Sequence, residues 1–151
     1  RPMWDITAPA ERAASVAEAA LMIRSKARVF AATGRGTLDQ YHPFSGARLY
    51  LRQTNAEARS ALPPFAEAVF GQPPFTRAAE AELFRRLQID TLVLRNVGGA
   101  PSRPKLDAAL DLGLRVIVID RPSPPAGAQA LHGAEAGLRW IETLPRKGVG
   151  L

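Results

Sequence analysis

Three short apolar runs, each of which stops abruptly, limit what this chain can fold into. Arg28-Val29-Phe30-Ala31-Ala32-Thr33, Thr91-Leu92-Val93-Leu94-Arg95 and Arg115-Val116-Ile117-Val118-Ile119-Asp120 are strand-length and lack the alternation of a half-exposed strand. They predict strands covered on both faces, as in a parallel sheet. The second run carries the most chemistry. It breaks into Asn96-Val97-Gly98-Gly99-Ala100-Pro101, where glycine permits positive φ and close approach to the backbone. It then restarts as a helix, with Ser102 as N-cap and Pro104 in the first turn. Strand, glycine loop and helix start together form an anion cradle, because loop and first-turn N–H groups lack intrahelical partners. Arg103 and Lys105 are the wrong sign for that helix end by roughly 0.3–1 kcal/mol each, a cost that a bound anion reverses. A solvated loop between strand and helix is the plainer alternative.

The rest of the chain alternates in the same way. Ser15-Val16-Ala17-Glu18 has capping-box spacing and predicts a helix to about Lys26. After the Arg28 run, Gly34-Arg35-Gly36 makes a second break of the same kind, and Thr37–Ala47 leaves room for only a short helix. Arg48-Leu49-Tyr50-Leu51-Arg52 alternates as a partly exposed strand should, Asn55–Leu62 allows one or two helical turns, and Ala66–Phe70 is a further strand. Thr76 caps a helix to Gln88; Gly113 closes the one after the glycine loop. Prolines from Pro122 to Pro125 end the last strand, and a final helix spans about Gly133–Leu144. Five strands separated mostly by helices imply an α/β fold: one Rossmann-like domain over residues 1–151, an open parallel sheet of about five strands with helices on both faces.

Composition narrows the function. With 46% hydrophobic and 23% charged residues the chain is that of a soluble globular protein, without a membrane-length apolar run or an opening signal segment. No cysteine is present, which excludes disulfides and thiol chemistry and is compatible with a cytoplasmic setting. The net charge is +6, and only 3 of the 20 basic residues are lysine. Arginine engages carboxylates and phosphates bidentately, and the basic residues are scattered rather than striped, which favours a small polyanion over nucleic acid.

In open parallel sheets, ligands bind at the carboxyl ends of the strands. Thr33, Gly34 and Arg35, then Arg52, then Arg95, Asn96, Gly98 and Gly99, then Arg121 all occupy such ends. Gly34-Arg35-Gly36 lacks the later glycine of a full dinucleotide fingerprint. Arg52 lies 18 residues beyond Gly34, near where an acidic residue would hold a free ribose 2′-OH, and a base there suits the 2′-phosphate of NADP. An arginine facing water from an edge strand is the alternative. His42 and His132 belong to no metal spacing, Asp107 and Asp111 sit on an exposed helix face, and Trp4 and Trp140 suit a core or interface. No catalytic constellation is assembled, and the catalytic residue stays unassigned. Lys105 and Arg121 have no carboxylate at helical or strand spacing on their solvent side, and are expected to bind substrate.

Several of these pieces, in order, resemble the precorrin-6A reductase family of cobalamin biosynthesis. They are Arg1-Pro2-Met3-Trp4, Ala32-Thr33-Gly34-Arg35, Pro74-Phe75 with Glu80, Ile89 to Gly99, Lys105 to Ala109, and Val116 to Pro122. The family's Lys-Asn-Ser-Gly-Gly is Arg95-Asn96-Val97-Gly98-Gly99 here, so a serine hydroxyl is lost. The resemblance implies two Rossmann-like domains, of which this chain is similar to the second and does not contain the first. It implies reduction of a macrocycle double bond by NADPH, and with Arg52 from the spacing above the expected cofactor-binding residues are Thr33, Gly34, Arg35, Arg52, Asn96, Gly98 and Gly99. It also implies a tetrapyrrole substrate whose carboxylates meet Arg95, Lys105 and Arg121, with no nucleic acid, membrane or metal involved. A non-catalytic, nucleotide-sensing Rossmann-like module is the rival reading.

Overall fold

The computed structural model describes residues 2–6, 9–55, 61–121, 126–127 and 134–143. Its strands are β1 (Ala10–Ala13), β2 (Arg28–Ala32), β3 (Arg48–Gln53), β4 (Ala66–Phe70), β5 (Thr91–Arg95) and β6 (Arg115–Ile119). All pair in parallel in one sheet of order β1-β6-β5-β2-β3-β4. The class is the expected α/β parallel sheet, with six strands rather than five. Strands β4-β3-β2-β5-β6 follow the first five places of the Rossmann order 3-2-1-4-5-6, and β1 takes the sixth. The sequence missed β1 because Ala-Glu-Arg-Ala has neither β-branched nor aromatic residues. Its pairing with β6 makes it a strand, with Ala10 beside Val116 and Ala13 beside Ile119.

Helix α1 (Val16–Met22) and a 3₁₀ segment, Arg35–Tyr41, accompany one face, and α2 (Arg77–Arg86) and α3 (Pro104–Asp111) the other. On the first face Val29, Ala31, Leu51, Val93 and Ile117 cluster with Val16, Ala20 and Tyr41. On the second, Phe30, Leu92, Leu94, Val116 and Val118 cluster with Phe84, Leu106 and Ala109. Successive strand residues thus feed alternate cores, which is why these runs carry no polar alternation. Phe30 and Phe84 meet edge to face, 5.0 Å between centroids.

Local chemistry sets the boundaries. Ser15 accepts from the Glu18 N–H at 3.1 Å, while Glu18 accepts from the Ala14 N–H at 3.0 Å, a reciprocal cap. The helix it starts ends at Met22, short of the expected Lys26. Thr76 caps α2 as expected, accepting from the Ala79 N–H at 3.1 Å. Gly113, at φ +67°, follows α3 in a left-handed turn, with the Leu114 N–H returning to the Ala109 carbonyl at 2.9 Å. Ser102 does not cap α3. It lies in a 3₁₀ turn, Ala100–Ser102, and Arg103 holds the N-cap position without a side-chain capping bond to the helix backbone, while Pro104 occupies the first turn as predicted.

Pro2–Arg121 form one compact unit. Helix α4 (Ala134–Thr143) belongs to a second unit and lies within the span expected for the last helix. Residues 56–60, the proline stretch Pro122–Pro125, His132, the Trp140 side chain and the tail from Arg146 fall outside the described residues. No described helix is long and apolar enough to cross a membrane.

Candidate functional site

The carboxyl edge of the sheet gathers the predicted residues. β2 and β5 pair with Ala32 beside Leu94, so the chain leaves the sheet toward Gly34 and toward Gly98 at adjacent points. Both loops therefore open on the same edge, at the place where the strand order reverses direction. Gly34 has φ +84°, and no atom lies within 4 Å of where its Cβ would be, so its backbone is open to approach.

The loop is held from below by hydroxyls. Thr33 Oγ1 and Tyr41 Oη share a hydrogen bond of 3.0 Å, and Thr37 Oγ1 donates to the Gly34 carbonyl at 2.7 Å. Thr33, Thr37 and Tyr41 are all buried, so the Thr33 hydroxyl is engaged in shaping the loop. Burial pushes the Tyr41 hydroxyl from 10.0 up to about 12, against smaller lowering effects of the Thr33 bond and the Arg95 charge. Arg95 itself ends β5 exposed.

A cavity of about 190 Å³ opens beside this loop, lined by Gly34, Arg35, Arg52, Gln53, Thr54 and Asn55. Gln53 is 7% exposed, and its side-chain nitrogen is a buried donor without a protein partner. Gln53 was missed by sequence reasoning; a polar residue prolonging β3 one place past Arg52 was the available signal.

Arg52 lines this cavity, but it does not face water from an edge strand and its guanidinium is engaged within the protein. β3 is flanked by β2 and β4, so it is no edge strand. The Arg52 guanidinium pairs with Glu80 of α2, and the two side chains are 9% and 3% exposed. It stacks on Phe75, 4.3 Å from the ring centroid, and approaches Phe30 at 5.2 Å. A Cβ on Gly71 would lie 2.2 Å from Arg52 Nη1, so glycine there leaves the guanidinium its room. As a 2′-phosphate contact, Arg52 would first have to leave Glu80. Nearby Lys105 is half-buried, its Nζ 3.2 Å from the Ser102 carbonyl. Burial lowers its pKa and Arg52 adds to that, while the Glu80 carboxylate opposes it.

The Gly98 loop is also put to another use. Both ends of the buried Asn96 amide are occupied by one residue: its Oδ1 accepts from the Trp4 N–H at 2.9 Å, and its Nδ2 donates to the Trp4 carbonyl at 3.1 Å. Trp4 Nε1 donates to the Gly99 carbonyl at 2.9 Å. A Cβ on Gly98, at φ +70°, would fall 2.0 Å from the Pro2 carbonyl oxygen. Asn96, Gly98 and Gly99 therefore clamp the first residues of the chain, and the expected open cradle is filled by that segment. Arg121 is exposed and its Nη2 donates to the Val97 carbonyl at 2.9 Å. The expected exposed carboxylates of α3 are ion-paired, Asp107 with Arg103 and Asp111 with Arg77. Among the described residues no group of three His, Asp or Glu is arranged to hold a metal.

Two outcomes follow from these burials. Glu80→Ala strands a buried guanidinium, and should lower unfolding free energy by about 3–5 kcal/mol in urea titration; a loss below 1 would place the pair in solvent. The Tyr41 phenol is neutral in the fold and ionises more easily unfolded, so its stabilisation is complete below pH 10 and is lost between pH 10 and about 12. Tyr41→Phe should remove that alkaline loss, worth about 2–3 kcal/mol, in denaturation curves measured across the same window.

Comparison with known proteins agrees with this architecture. The precorrin-6x reductase CbiJ/CobK family matches residues 1–142. A precorrin-6A reductase of Mycobacterium tuberculosis (strain CDC 1551 / Oshkosh) is 36% identical over 149 residues, covering 97% of this chain and 60% of the relative. That of Rhodococcus erythropolis is 32% identical over 151 residues, with the same 97% and 60% coverage. A solved CobK precorrin-6A reductase superposes with a TM-score of 0.81 at 32% identity, over 94% of this chain and 59% of that one. The chain thus spans about three fifths of the length of the curated relatives it matches. With the family match over residues 1–142, the identity to its curated members and the superposition on a solved one, the chain belongs to the precorrin-6x reductase (CbiJ/CobK) family.

Proposed function

We propose that this chain is one Rossmann-like domain, the second of two, of an enzyme that reduces a double bond of the precorrin-6A macrocycle with NADPH, giving precorrin-6B for cobalamin biosynthesis. The observation that carries this is the gathering of Gly34, Arg35, Arg95, Lys105 and Arg121 at one sheet edge in a chain of this family. When bound, NADPH supplies the hydride. The protein has only to orient the reactants and exclude water, which accounts for the lack of a catalytic constellation.

The residues present fit part of such a cofactor. The cavity beside Gly34 is smaller than the roughly 300–1,000 Å³ of pockets for drug-sized ligands, which suits one phosphate-bearing sugar and not a whole dinucleotide. Gln53 brings a buried donor without a partner, Arg35 the charge, and no acidic side chain lines the space. Arg35 is, with Arg52, a candidate for the 2′-phosphate. Arg95, Lys105 and Arg121 are assigned to the substrate's carboxylates, the half-buried Lys105 offering a weakly solvated ammonium.

The decisive test is complementation. Joined to the remaining two fifths of a family-length reductase, the chain should convert precorrin-6A with matching NADPH oxidation, and by itself it should not. A joined form that folds and binds NADPH yet leaves precorrin-6A unchanged would refute the proposal. In that form Arg35→Ala should weaken NADPH roughly tenfold to a hundredfold and NADH little, as loss of a charge-assisted hydrogen bond predicts. Equal losses for the two nucleotides would move the 2′-phosphate elsewhere.

A further inference from the structure

Arg121 is held by a chain of contacts that begins at Pro2–Trp4. Its Nη2 donates to the Val97 carbonyl at 2.9 Å, joining the chain beyond β6 to the chain beyond β5. That carbonyl belongs to the peptide between Val97 and Gly98, whose plane turns with the φ of a glycine. Gly98 and Gly99 lie at φ +70° and +78°, and two adjacent glycines by themselves leave such a plane free to turn. Here it is fixed from both sides. The Asn96 N–H donates to the Ile119 carbonyl at 3.0 Å and the Val97 N–H to the Arg95 carbonyl at 2.9 Å, which anchors the turn on β6 and β5. The buried Asn96 amide binds both the N–H and the carbonyl of Trp4, and the Pro2 carbonyl lies where a Gly98 Cβ would be. Trp4 Nε1 completes the hold through the Gly99 carbonyl.

We propose that Asn96 is a positioning residue: by holding Trp4 against the Gly98 loop it fixes the Val97 carbonyl, and so aims the Arg121 guanidinium. This rests on the assignment of Arg121 to substrate carboxylates above and adds the group that orients it. The physical reason is entropy. An unrestrained arginine has several rotatable torsions, and immobilising such a side chain on binding costs affinity. A hydrogen bond to a fixed carbonyl moves that cost from binding to folding. Because the guanidinium is planar, one bond to a fixed acceptor also sets the direction in which its fork meets a carboxylate. An amide suits the task, since accepting from and donating to one peptide allows that peptide a single orientation. A carboxylate in its place would lose the donated bond, and leucine both. Asn96, expected from the sequence to contact the cofactor, on this account touches no ligand.

The test is a double-mutant cycle in the joined form described above, with KM and kcat read for precorrin-6A and for NADPH. Asn96→Ala should raise KM for precorrin-6A about fivefold, as freeing one side chain predicts, and leave KM for NADPH where it was. In an Arg121→Ala background the same substitution should do nothing further. Equal losses with and without Arg121 would overturn the proposal, as would a rise in KM for NADPH, which would make Asn96 a cofactor contact. If Arg121→Ala alone leaves KM for precorrin-6A unchanged, the substrate assignment of Arg121 falls, and the orienting role with it. A second measurement needs no substrate and uses the 151-residue chain. Nitrogen NMR signals of the Arg121 guanidinium, identified by their loss in Arg121→Lys, should show hindered rotation in the parent and averaging in Asn96→Ala. Should that variant fail to fold, Trp4→Phe deletes only the bond to the Gly99 carbonyl and should raise KM for precorrin-6A about twofold. Rotation still hindered in a folded Asn96→Ala, or an unchanged KM in Trp4→Phe, would overturn the proposal.

Discussion

Parallel pairing of β2 with β5 is the constraint on which the rest of the structure depends. Parallel strands send their carboxyl ends to the same edge, and from β2 and β5 the strand order runs outward in opposite directions, to β3 and β4 on one side and β6 and β1 on the other. The Gly34 and Gly98 loops therefore leave the sheet from adjacent strands on the same edge. Both strands are buried on both faces, so a slip in register would misplace every side chain of two cores at once. At the amino edge Asp90 secures that register: its carboxylate accepts from the Arg28 N–H of β2 at 3.0 Å and from the Thr91 hydroxyl of β5 at 2.7 Å. Rigidity at one end positions loops at the other.

At the functional edge, buried polar groups fix the loops by pairing with named partners. Asn96 satisfies both ends of its amide on one peptide of another segment, and so reads backbone geometry and not side-chain identity. Arg52 and Glu80 tie β3 to α2 beneath Phe75. Such a pair returns little net stability for its desolvation cost, but losing either member leaves a charge in an apolar site. The pair also sets the charge around Lys105, where an ammonium at the start of a helix is already poorly solvated.

The sheet, its direction and its edge were legible in the sequence because they rest on short-range signals. Apolar runs of strand length, capping residues at Ser15 and Thr76 and the glycine at 113 each act within a few residues. β1 was not legible, since Ala-Glu-Arg-Ala acquires extended structure only from β6. The family-like grouping of Phe75 and Glu80 was visible with no role attached; the fold supplies it by bringing Arg52 between them.

The site divides along the same line. That glycine and basic residues gather at strand ends was determined by the sequence, because strand direction and loop position follow from local patterning. What each of them faces was decided by tertiary structure alone. Arg52 lost its place as an open cation to Glu80, 28 residues away, and the Asn96–Gly99 cradle was filled by Pro2–Trp4, more than 90 residues away. Hydrogen-bond partners at such separations depend on how elements pack, and the composition of a loop carries no record of which distant carboxylate or carbonyl will reach it first.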